Sequence, residues 1–338
     1  GGSKKDKLVQ IEDLEAHLDD MVTCGANVVR NTMSDRDEGN VYAWYRQDDG
    51  LYDLHRWNDT YWDKFSTFLR LTYERNIIVQ IEVWDRFDFS DKKAPCWHNN
   101  PFRPANNVNY SQSSGLPDIA PNHPSKDDQP FFHTIPHMPL YHKSLDIVRS
   151  YQERFVKKML SYTLPYGHIL YCMSNETTTP APWGQYWISF IKNAAREADV
   201  EVYCTDMFDD LFKGEKSHFL SLLVDNKKYY EYLDISQVNS RLFGKDHWDM
   251  CQWIIQQLRK NPRPANHTKI YSDGGYTFGS GTPQDGIERF WHNILLGSAS
   301  SRFHRPDAGI GLNKTAQACI QCARNVENHV KFNKQKIL

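Results

Sequence analysis

The fold class that the sequence predicts is α/β, and specifically a (β/α)8 TIM barrel. Strand-like apolar runs alternate with amphipathic helix-like segments, an order that predicts a parallel sheet with helical crossovers. From the third predicted strand onward, strands begin about thirty residues apart, the length of one strand–helix unit of a barrel. An open doubly wound sheet is the structural alternative. No GxGxxG or GxxxxGK motif follows a predicted strand, so we expect no cofactor.

The individual elements follow from residue spacing. Seven runs are typical of strands: 27–32, 77–83, 168–174, 201–207, 235–239, 269–273 and 299–304. Between them, apolar residues recur at helical spacing in residues 11–24, 61–75, 145–162, 186–198, 246–258, 284–296 and 314–330. A closed barrel needs an eighth strand, which we expect before residue 1 or within the first ten residues. We therefore interpret residues 1–338 as a single catalytic barrel domain and as a fragment of a longer protein.

One predicted connection, residues 84–142, is too long for an ordinary strand-to-helix loop. It leaves the carboxyl end of a strand, where barrels form their binding clefts, so we expect it to line the cleft. A disordered linker is the alternative, which its many aromatic residues disfavour. Its histidines His133, His137 and His142 could hold a catalytic zinc, but their spacing is irregular and we predict no metal.

Composition limits the possible partners. A formal net charge of −2 gives no reason to expect nucleic acid or an anionic membrane. No apolar run is long enough to cross a bilayer, and the opening GGSKKDK shows no signal peptide. The seven cysteines show no dense spacing, and the CxxC of Cys319 and Cys322 has no second pair. Oligomeric state is not predicted.

The most informative motif is Asn175-Glu176, which ends the apolar run ILYCMSN and precedes the chain-breaking TTTPAP. A carboxylate at the end of a buried strand is partly desolvated, which raises its pKa and suits it to general acid catalysis. The carboxyl ends of parallel strands are also where α/β barrels place their active sites. The alternative is a carboxylate that only stabilises the start of the next helix.

In this position the pair resembles the catalytic barrel of a clan A retaining glycoside hydrolase. The resemblance implies that Glu176 is the general acid/base at the end of the fourth strand. It implies a second carboxylate at the end of the seventh strand, here Asp273, as nucleophile or base, supported by Arg30 from the second strand. It also implies that Asn175 donates to a sugar hydroxyl next to the reacting carbon. Two carboxylates on opposite sides of the mouth are what glycoside hydrolysis requires.

The seventh strand departs from that pattern because it carries Asp273 where Glu is usual. Retaining enzymes hold their carboxyl groups ~5–5.5 Å apart and inverting enzymes ~6.5–9.5 Å apart. Because Asp is shorter than Glu, the distance between the two carboxyl groups should widen unless the backbone moves inward. The sequence therefore does not decide between a retaining and an inverting mechanism. The alternative carboxylates are Glu82, Asp85, Asp206 and Asp307.

Further substrate-binding residues are expected near strand ends. Aromatic rings can stack on sugars, and a basic cluster can bind an acidic or sulfated sugar or form a salt bridge. The candidates are Trp84, Asp85, Trp183, Asn239, Arg302, His304 and Arg305.

The sequence therefore predicts a glycosidase that cleaves an oligo- or polysaccharide. One alternative is a barrel that binds carbohydrate without cleaving it, and another is a metal-dependent hydrolase or lyase that uses the loop histidines. The family resemblance favours a secreted or periplasmic location.

Overall fold

The parallel strands of the fold form two arcs. The computed structural model describes residues 11–34, 41–270, 281–303 and 312–330, without the side chains of residues 11–13. Its strands are β1 (Val28–Thr32), β2 (Trp44–Arg46), β3 (Tyr52–Trp57), β4 (Ile78–Asp85), β5 (Ile169–Asn175), β6 (Tyr203–Thr205), β7 (Leu233–Asp234), β8 (Ala265–Ile270) and β9 (Ser300–Phe303). One parallel sheet has the order β1-β4-β5-β6, a second has the order β7-β8-β9, and β2 and β3 form an antiparallel hairpin.

The two arcs form a barrel. The backbone N–H of Glu231, just before β7, donates to the Cys204 carbonyl in β6, so the arcs meet on this side. On the other side β9 approaches β1. Five of the seven parallel strands in the described residues coincide with predicted runs, whereas β7 ends just before the predicted run 235–239 and β8 overlaps the predicted run 269–273 only at residues 269–270. The arrangement is that of an α/β TIM barrel, as predicted. The expected eighth strand falls partly on residues 1–10, which lie outside the described residues.

Most of the helices cover the outside of the strands. The α-helices in the described residues are α1 (Ile11–Cys24), α2 (Asp59–Glu74), α3 (Cys96–Asn99), α4 (Asp146–Thr163), α5 (Pro182–Glu197), α6 (Leu220–Asp225), α7 (Gly244–Leu258), α8 (Pro283–Leu295) and α9 (Lys314–Val330). In α5, Pro182 occupies the first turn, where its missing N–H costs nothing. Trp187, Ile188 and Ile191 follow at helical spacing and are completely buried. None of the helices within the described ranges is long and apolar enough to cross a membrane.

The barrel interior is polar, and its groups are hydrogen-bonded to one another. The Asp234 carboxylate accepts from Gln80 at 2.6 Å, from the Thr268 hydroxyl at 3.1 Å and from the Ser236 hydroxyl. Because buried polar groups are costly when unpaired, this network fixes how β4, β7 and β8 face one another. It also explains one wrong prediction. The Ser236 N–H donates to Asp234 and turns the chain, so Ser236–Ser240 is a 3-10 helix where a strand was predicted.

The long connection after β4 is folded. It contains α3 and several 3-10 helices, and the rings of Phe89, Phe102 and Phe131 pack together within it. Its last part lies against the chain that follows Glu176, where Thr179 donates to Asp127 at 2.6 Å. The aromatic residues thus give this segment a core of its own, and a disordered linker is the wrong interpretation.

Candidate active site

Glu176 lies at the carboxyl end of β5, where the backbone leaves the sheet. Its φ of 60° is in the left-handed region, which is uncommon for a residue with a side chain. The next residue is held by the neighbouring strand, because Thr177 N–H donates to the Met207 carbonyl at 2.8 Å and the Asp209 N–H donates to the Thr177 carbonyl at 2.9 Å. The Glu176 side chain is 17% exposed. An unusual backbone angle held in place by hydrogen bonds is frequent at functional sites.

Two cations face the Glu176 carboxylate. Lys269 Nζ lies 2.5 Å from Oε1, and Arg86 Nη2 lies 3.6 Å from Oε2. Burial alone would raise the pKa of Glu176, but the positive charges of Lys269, Arg86 and Arg30 outweigh burial and lower it to about 2. The sequence-based expectation of a raised pKa is therefore wrong for the free protein. The main physical reason is the buried Lys269 ammonium, which is only 1% exposed and was not expected at this site.

The orientation of the Asn175 amide is fixed by two donors. Its Oδ1 accepts from Arg30 Nη2 at 2.8 Å and from Lys269 Nζ at 2.6 Å. Because both partners can only donate, Oδ1 must face them and the Nδ2 group must point elsewhere. Arg30 is held in turn by an ion pair with Glu82, which also accepts from the Thr32 hydroxyl at 2.8 Å. The structure thus brings the predicted residues Asn175, Glu176 and Arg30 together.

Asp209 lies next to Glu176 because Arg86 forms ion pairs with both carboxylates. Arg86 Nη2 lies 3.0 Å from Asp209 Oδ2, and Gln237 Nε2 donates to Asp209 Oδ1 at 3.2 Å. The Asp209 side chain is 26% exposed, so it opens to solvent beside Glu176. Sequence reasoning missed Asp209, Arg86 and Gln237. Arg86 and Asp209 follow predicted strands, so the rule that selected Glu176 could also have selected them. Gln237 lies inside the predicted strand 235–239, so that rule could not have found it.

Three of the alternative carboxylates, Glu82, Asp85 and Asp206, are buried and hydrogen-bonded within the protein. Glu82 is completely buried in its pair with Arg30, and Asp85, 1% exposed, accepts from the Phe87 N–H at the start of a 3-10 helix. Asp206, also 1% exposed, accepts from the backbone N–H groups of Ser174 and Met207 at 3.0 Å each. Burial raises the pKa of Asp206 to about 7. Asp273 and Asp307 lie outside the described residues.

Several predicted substrate-binding residues are in the protein interior. Trp84 and Trp183 are 3% and 1% exposed and pack against Phe131 and Trp187, so in this structure their rings are covered by other side chains. Asp85 is buried as well, and its carboxylate accepts from the Phe87 N–H. Sequence spacing alone does not reveal this burial.

Asn239 belongs to another buried cluster. It is completely buried and hydrogen-bonds His267 at 2.9 Å and His247 at 3.0 Å, so the structure does not bring it together with Glu176. Arg302 donates to the Thr268 carbonyl at 2.8 Å. His304 and Arg305 lie outside the described residues.

The loop histidines do not converge. His133 is completely buried and lies 3.4 Å from Asp127, whereas His137 and His142 are exposed. In the described part of the chain no group of three or more His, Cys, Asp or Glu side chains could hold a metal ion. The loop histidines therefore give no support to the metal-dependent alternative.

Comparison with solved structures agrees with this architecture. The glycoside hydrolase family 5 mannosidase from Rhizomucor miehei matches at a TM-score of 0.58 and 11% identity, over 98% of this chain and 91% of that one. The hyperthermostable endo-1,4-β-D-mannanase from Thermotoga petrophila RKU-1 matches at a TM-score of 0.56 and 10% identity, over 94% and 96%. The β-mannanase from the blue mussel Mytilus edulis matches at a TM-score of 0.55 and 11% identity, over 92% and 84%. These likenesses confirm the predicted fold class.

Comparison of the amino-acid sequence with known proteins identifies the family of the chain but no characterised relative. No curated protein sequence matches the chain. The model of the family described as Domain of unknown function (DUF6298) matches residues 36–234, more than half of the chain. This range includes β4, β5 and β6 together with Glu176, Arg86 and Asp209. The chain therefore belongs to the DUF6298 family.

Proposed function

We propose that this protein is a glycoside hydrolase whose reaction takes place at the carboxyl-end mouth of the barrel, beside Glu176. The observation that carries the proposal is the placement of Asn175 and Glu176. They end a barrel strand, with the carboxylate partly open to solvent and the amide oriented by Arg30 and Lys269. The fold shared with family 5 mannosidases and mannanases supports the same conclusion by analogy.

Glu176 is the general acid/base in this proposal. As an acid it must carry a proton that it gives to the leaving oxygen as the glycosidic bond breaks. It must then take a proton from the water that completes hydrolysis. In the free protein Glu176 is ionised at neutral pH because its pKa is lowered to about 2. The acid form therefore becomes more populated as the pH falls, or once a ligand breaks the contact with Lys269.

Asp273 is the proposed partner carboxylate, as nucleophile or base. It follows β8, and β8 faces β5 across the barrel, as shown by the contact of Lys269 with Asn175. A group at the end of β8 can therefore approach a sugar from the side opposite Glu176. This is the geometry that displacement at the anomeric carbon requires.

The proposed substrate is an oligo- or polysaccharide. The charged side chains around Glu176 form three cation–carboxylate pairs: Arg30–Glu82, Lys269–Glu176 and Arg86–Asp209. Because these charges balance, the described part of the site favours neutral sugars, and mannose-containing glycans are the first to test. The secreted or periplasmic location implied by the sequence resemblance remains part of this proposal.

The test is a screen of purified protein against neutral and acidic oligosaccharides, with released reducing ends as the readout. We expect hydrolysis of at least one neutral glycan by the wild type, and a loss of about a hundredfold or more in kcat for Asp273→Asn. Asp249→Asn is the matched control, because Asp249 forms an exposed ion pair with Lys245 on α7. Normal turnover by Asp273→Asn would remove Asp273 from the mechanism.

A second candidate function, carbohydrate binding without hydrolysis, is favoured by one observation. The ammonium of Lys269 contacts Glu176 and suppresses the acid form that catalysis needs. Calorimetry on the same glycan panel separates the two functions. Binding without any product over the pH range where the protein is folded supports a binding protein, and product formation rules it out.

A further inference from the structure

Asp209 is held rigidly beside Glu176 by the backbone. Phe208 forms a parallel bridge with Thr177, and hydrogen bonds join Thr177 to Met207 and Asp209 on either side of that bridge. The segment after β6 therefore runs alongside the segment after β5. Any group bound near Glu176 on this side of the mouth will also lie near Asp209.

The Asp209 carboxylate has the chemistry of a hydroxyl ligand. It is 26% exposed, whereas Glu82, Asp206 and Asp234 are buried. Its two oxygens accept from Arg86 at 3.0 Å and from Gln237 at 3.2 Å. An ionised carboxylate has about four acceptor positions, so both oxygens retain capacity for hydroxyl donors. The two carboxylate oxygens of Asp209 are held in position by Arg86 and Gln237 and are partly open to solvent, so they can accept hydrogen bonds from sugar hydroxyl groups.

Arg86 gives a second indication that the cluster is completed by a ligand. Arg86 is 5% exposed, and its Nε and Nη1 atoms are buried without a hydrogen-bond acceptor among the described residues. A buried donor without an acceptor is destabilising and uncommon in folded proteins. Oxygen atoms of a bound polar ligand would supply the missing acceptors after a small movement of the guanidinium.

We propose that Asp209, together with Arg86 and Gln237, binds hydroxyl groups of a sugar unit on the leaving-group side of the scissile bond. This inference rests on the proposed role of Glu176 as the acid that protonates the leaving oxygen. Because β5 and β6 are adjacent strands, Asp209 and Glu176 lie on the same side of the mouth. The sugar beside Asp209 is therefore the leaving group, and the substrate class is an oligosaccharide rather than a glycoside of a non-sugar alcohol.

The same geometry separates Asp209 from the nucleophile. A nucleophile must attack the anomeric carbon from the face opposite the leaving group, and hence opposite the acid. Asp209 shares Arg86 with Glu176, with contacts of 3.0 and 3.6 Å to one guanidinium nitrogen. Because Asp209 follows β6, the strand next to that of Glu176, it lies on the acid's side of the mouth and not opposite it, so we assign it to substrate binding.

The test compares two substrates with the same glycone, one with a sugar leaving group and one with an aryl leaving group. For Asp209→Asn we expect kcat/KM to fall roughly ten- to a hundredfold on the sugar-leaving substrate, the effect of losing hydrogen bonds to a charged group. On the aryl substrate we expect kcat/KM to stay within about twofold of wild type. Equal losses on both substrates, or no loss on either, would overturn the inference. Asp249→Asn is again the matched control.

Binding measurements keep this test independent of turnover. Calorimetry with a neutral oligosaccharide is run on Glu176→Gln and on the double variant Glu176→Gln/Asp209→Asn. We expect the double variant to bind roughly ten times more weakly or worse. Equal affinities would contradict the inference even if the protein cleaves no glycan. If instead Glu176→Gln hydrolyses normally, the proposed function fails, and the affinity comparison still decides whether Asp209 binds sugar.

Discussion

Lys269 Nζ lies 2.5 Å from Glu176 Oε1, although β8 and β5 belong to different sheets. The contact spans the barrel mouth and also engages Asn175. A buried ammonium next to a carboxylate stabilises the ionised form of that carboxylate. The charge on Glu176 is therefore controlled from the strand that precedes the proposed partner Asp273, and the first two predictions concern this control.

The first prediction concerns the pH dependence of catalysis. With a free-protein pKa of about 2, the protonated fraction of Glu176 falls about tenfold for each pH unit above that value. We expect kcat/KM to decline from acidic toward neutral pH, because this parameter reports the ionisation of the free enzyme. Initial rates at low substrate concentration across the folded pH range measure it. A profile that rises toward neutral pH would contradict the acid role of Glu176.

The second prediction concerns Lys269. Replacing it in Lys269→Met removes the nearest positive charge, so we expect the pKa of Glu176 to rise and the decline in kcat/KM to move to higher pH. Lys269→Arg keeps the charge, so its profile should stay closer to wild type. Lys245→Met removes an exposed lysine in a helical ion pair and is the matched control. Identical profiles for wild type and Lys269→Met would show that Lys269 does not set the charge on Glu176.

The third prediction concerns stability. The folded-state pKa of Glu176 is lowered, so its stabilising contribution is present above the unfolded-state pKa near 4.5 and is lost as the pH falls toward about 2. The contribution is about 3 kcal/mol near neutral pH, of which about 2 kcal/mol is lost by about pH 3. We expect Glu176→Gln to lower the free energy of unfolding more at pH 6 than at pH 3, measured by urea denaturation. An equal cost at both values would contradict the lowered pKa.

The fourth prediction concerns Asp206, whose pKa is raised to about 7 by burial. A raised carboxyl pKa means that stability falls as the pH rises from the unfolded-state value near 3.8 to about 7. In Asp206→Asn the amide oxygen can still accept from Ser174 and Met207, while the titration is removed. We expect the variant to gain about 2–3 kcal/mol relative to wild type between pH 5 and pH 8. Urea denaturation at the two pH values measures this, with Asp249→Asn as control.

The order of strands and helices could be predicted because apolar spacing reports burial. The runs that became β4 and β5 are mostly apolar and are buried on both faces, the pattern of strands in a parallel barrel. The end of β5 at Asn175 was visible because the polar Asn-Glu pair and a proline-containing segment follow it directly. The position of the Asn-Glu pair at the end of a predicted strand was therefore sufficient to identify Glu176 as a candidate catalytic residue.

The surroundings of Glu176 could not be predicted because they depend on three-dimensional register. The pairing of β8 with β9 shifts between His267 and Ile270, and alternation along the sequence does not reveal where Lys269 points beyond that shift. The burial of Trp84 and Trp183 could not be predicted for a related reason. Their spacing matches both an interior cluster and a binding platform, and only the packing of Phe131 and Trp187 on them decides between the two.

The most direct test of the central claim is the hydrolysis rate of Glu176→Gln, measured beside wild type on the best neutral glycan from the screen. Gln keeps the size of the side chain and removes its ability to donate or accept the catalytic proton. Glu74→Gln, in an exposed helical ion pair with Arg70, is the matched control. We predict a loss of about a hundredfold or more in kcat for Glu176→Gln and an unchanged rate for Glu74→Gln. A folded Glu176→Gln variant that hydrolyses the glycan at the wild-type rate would contradict the account.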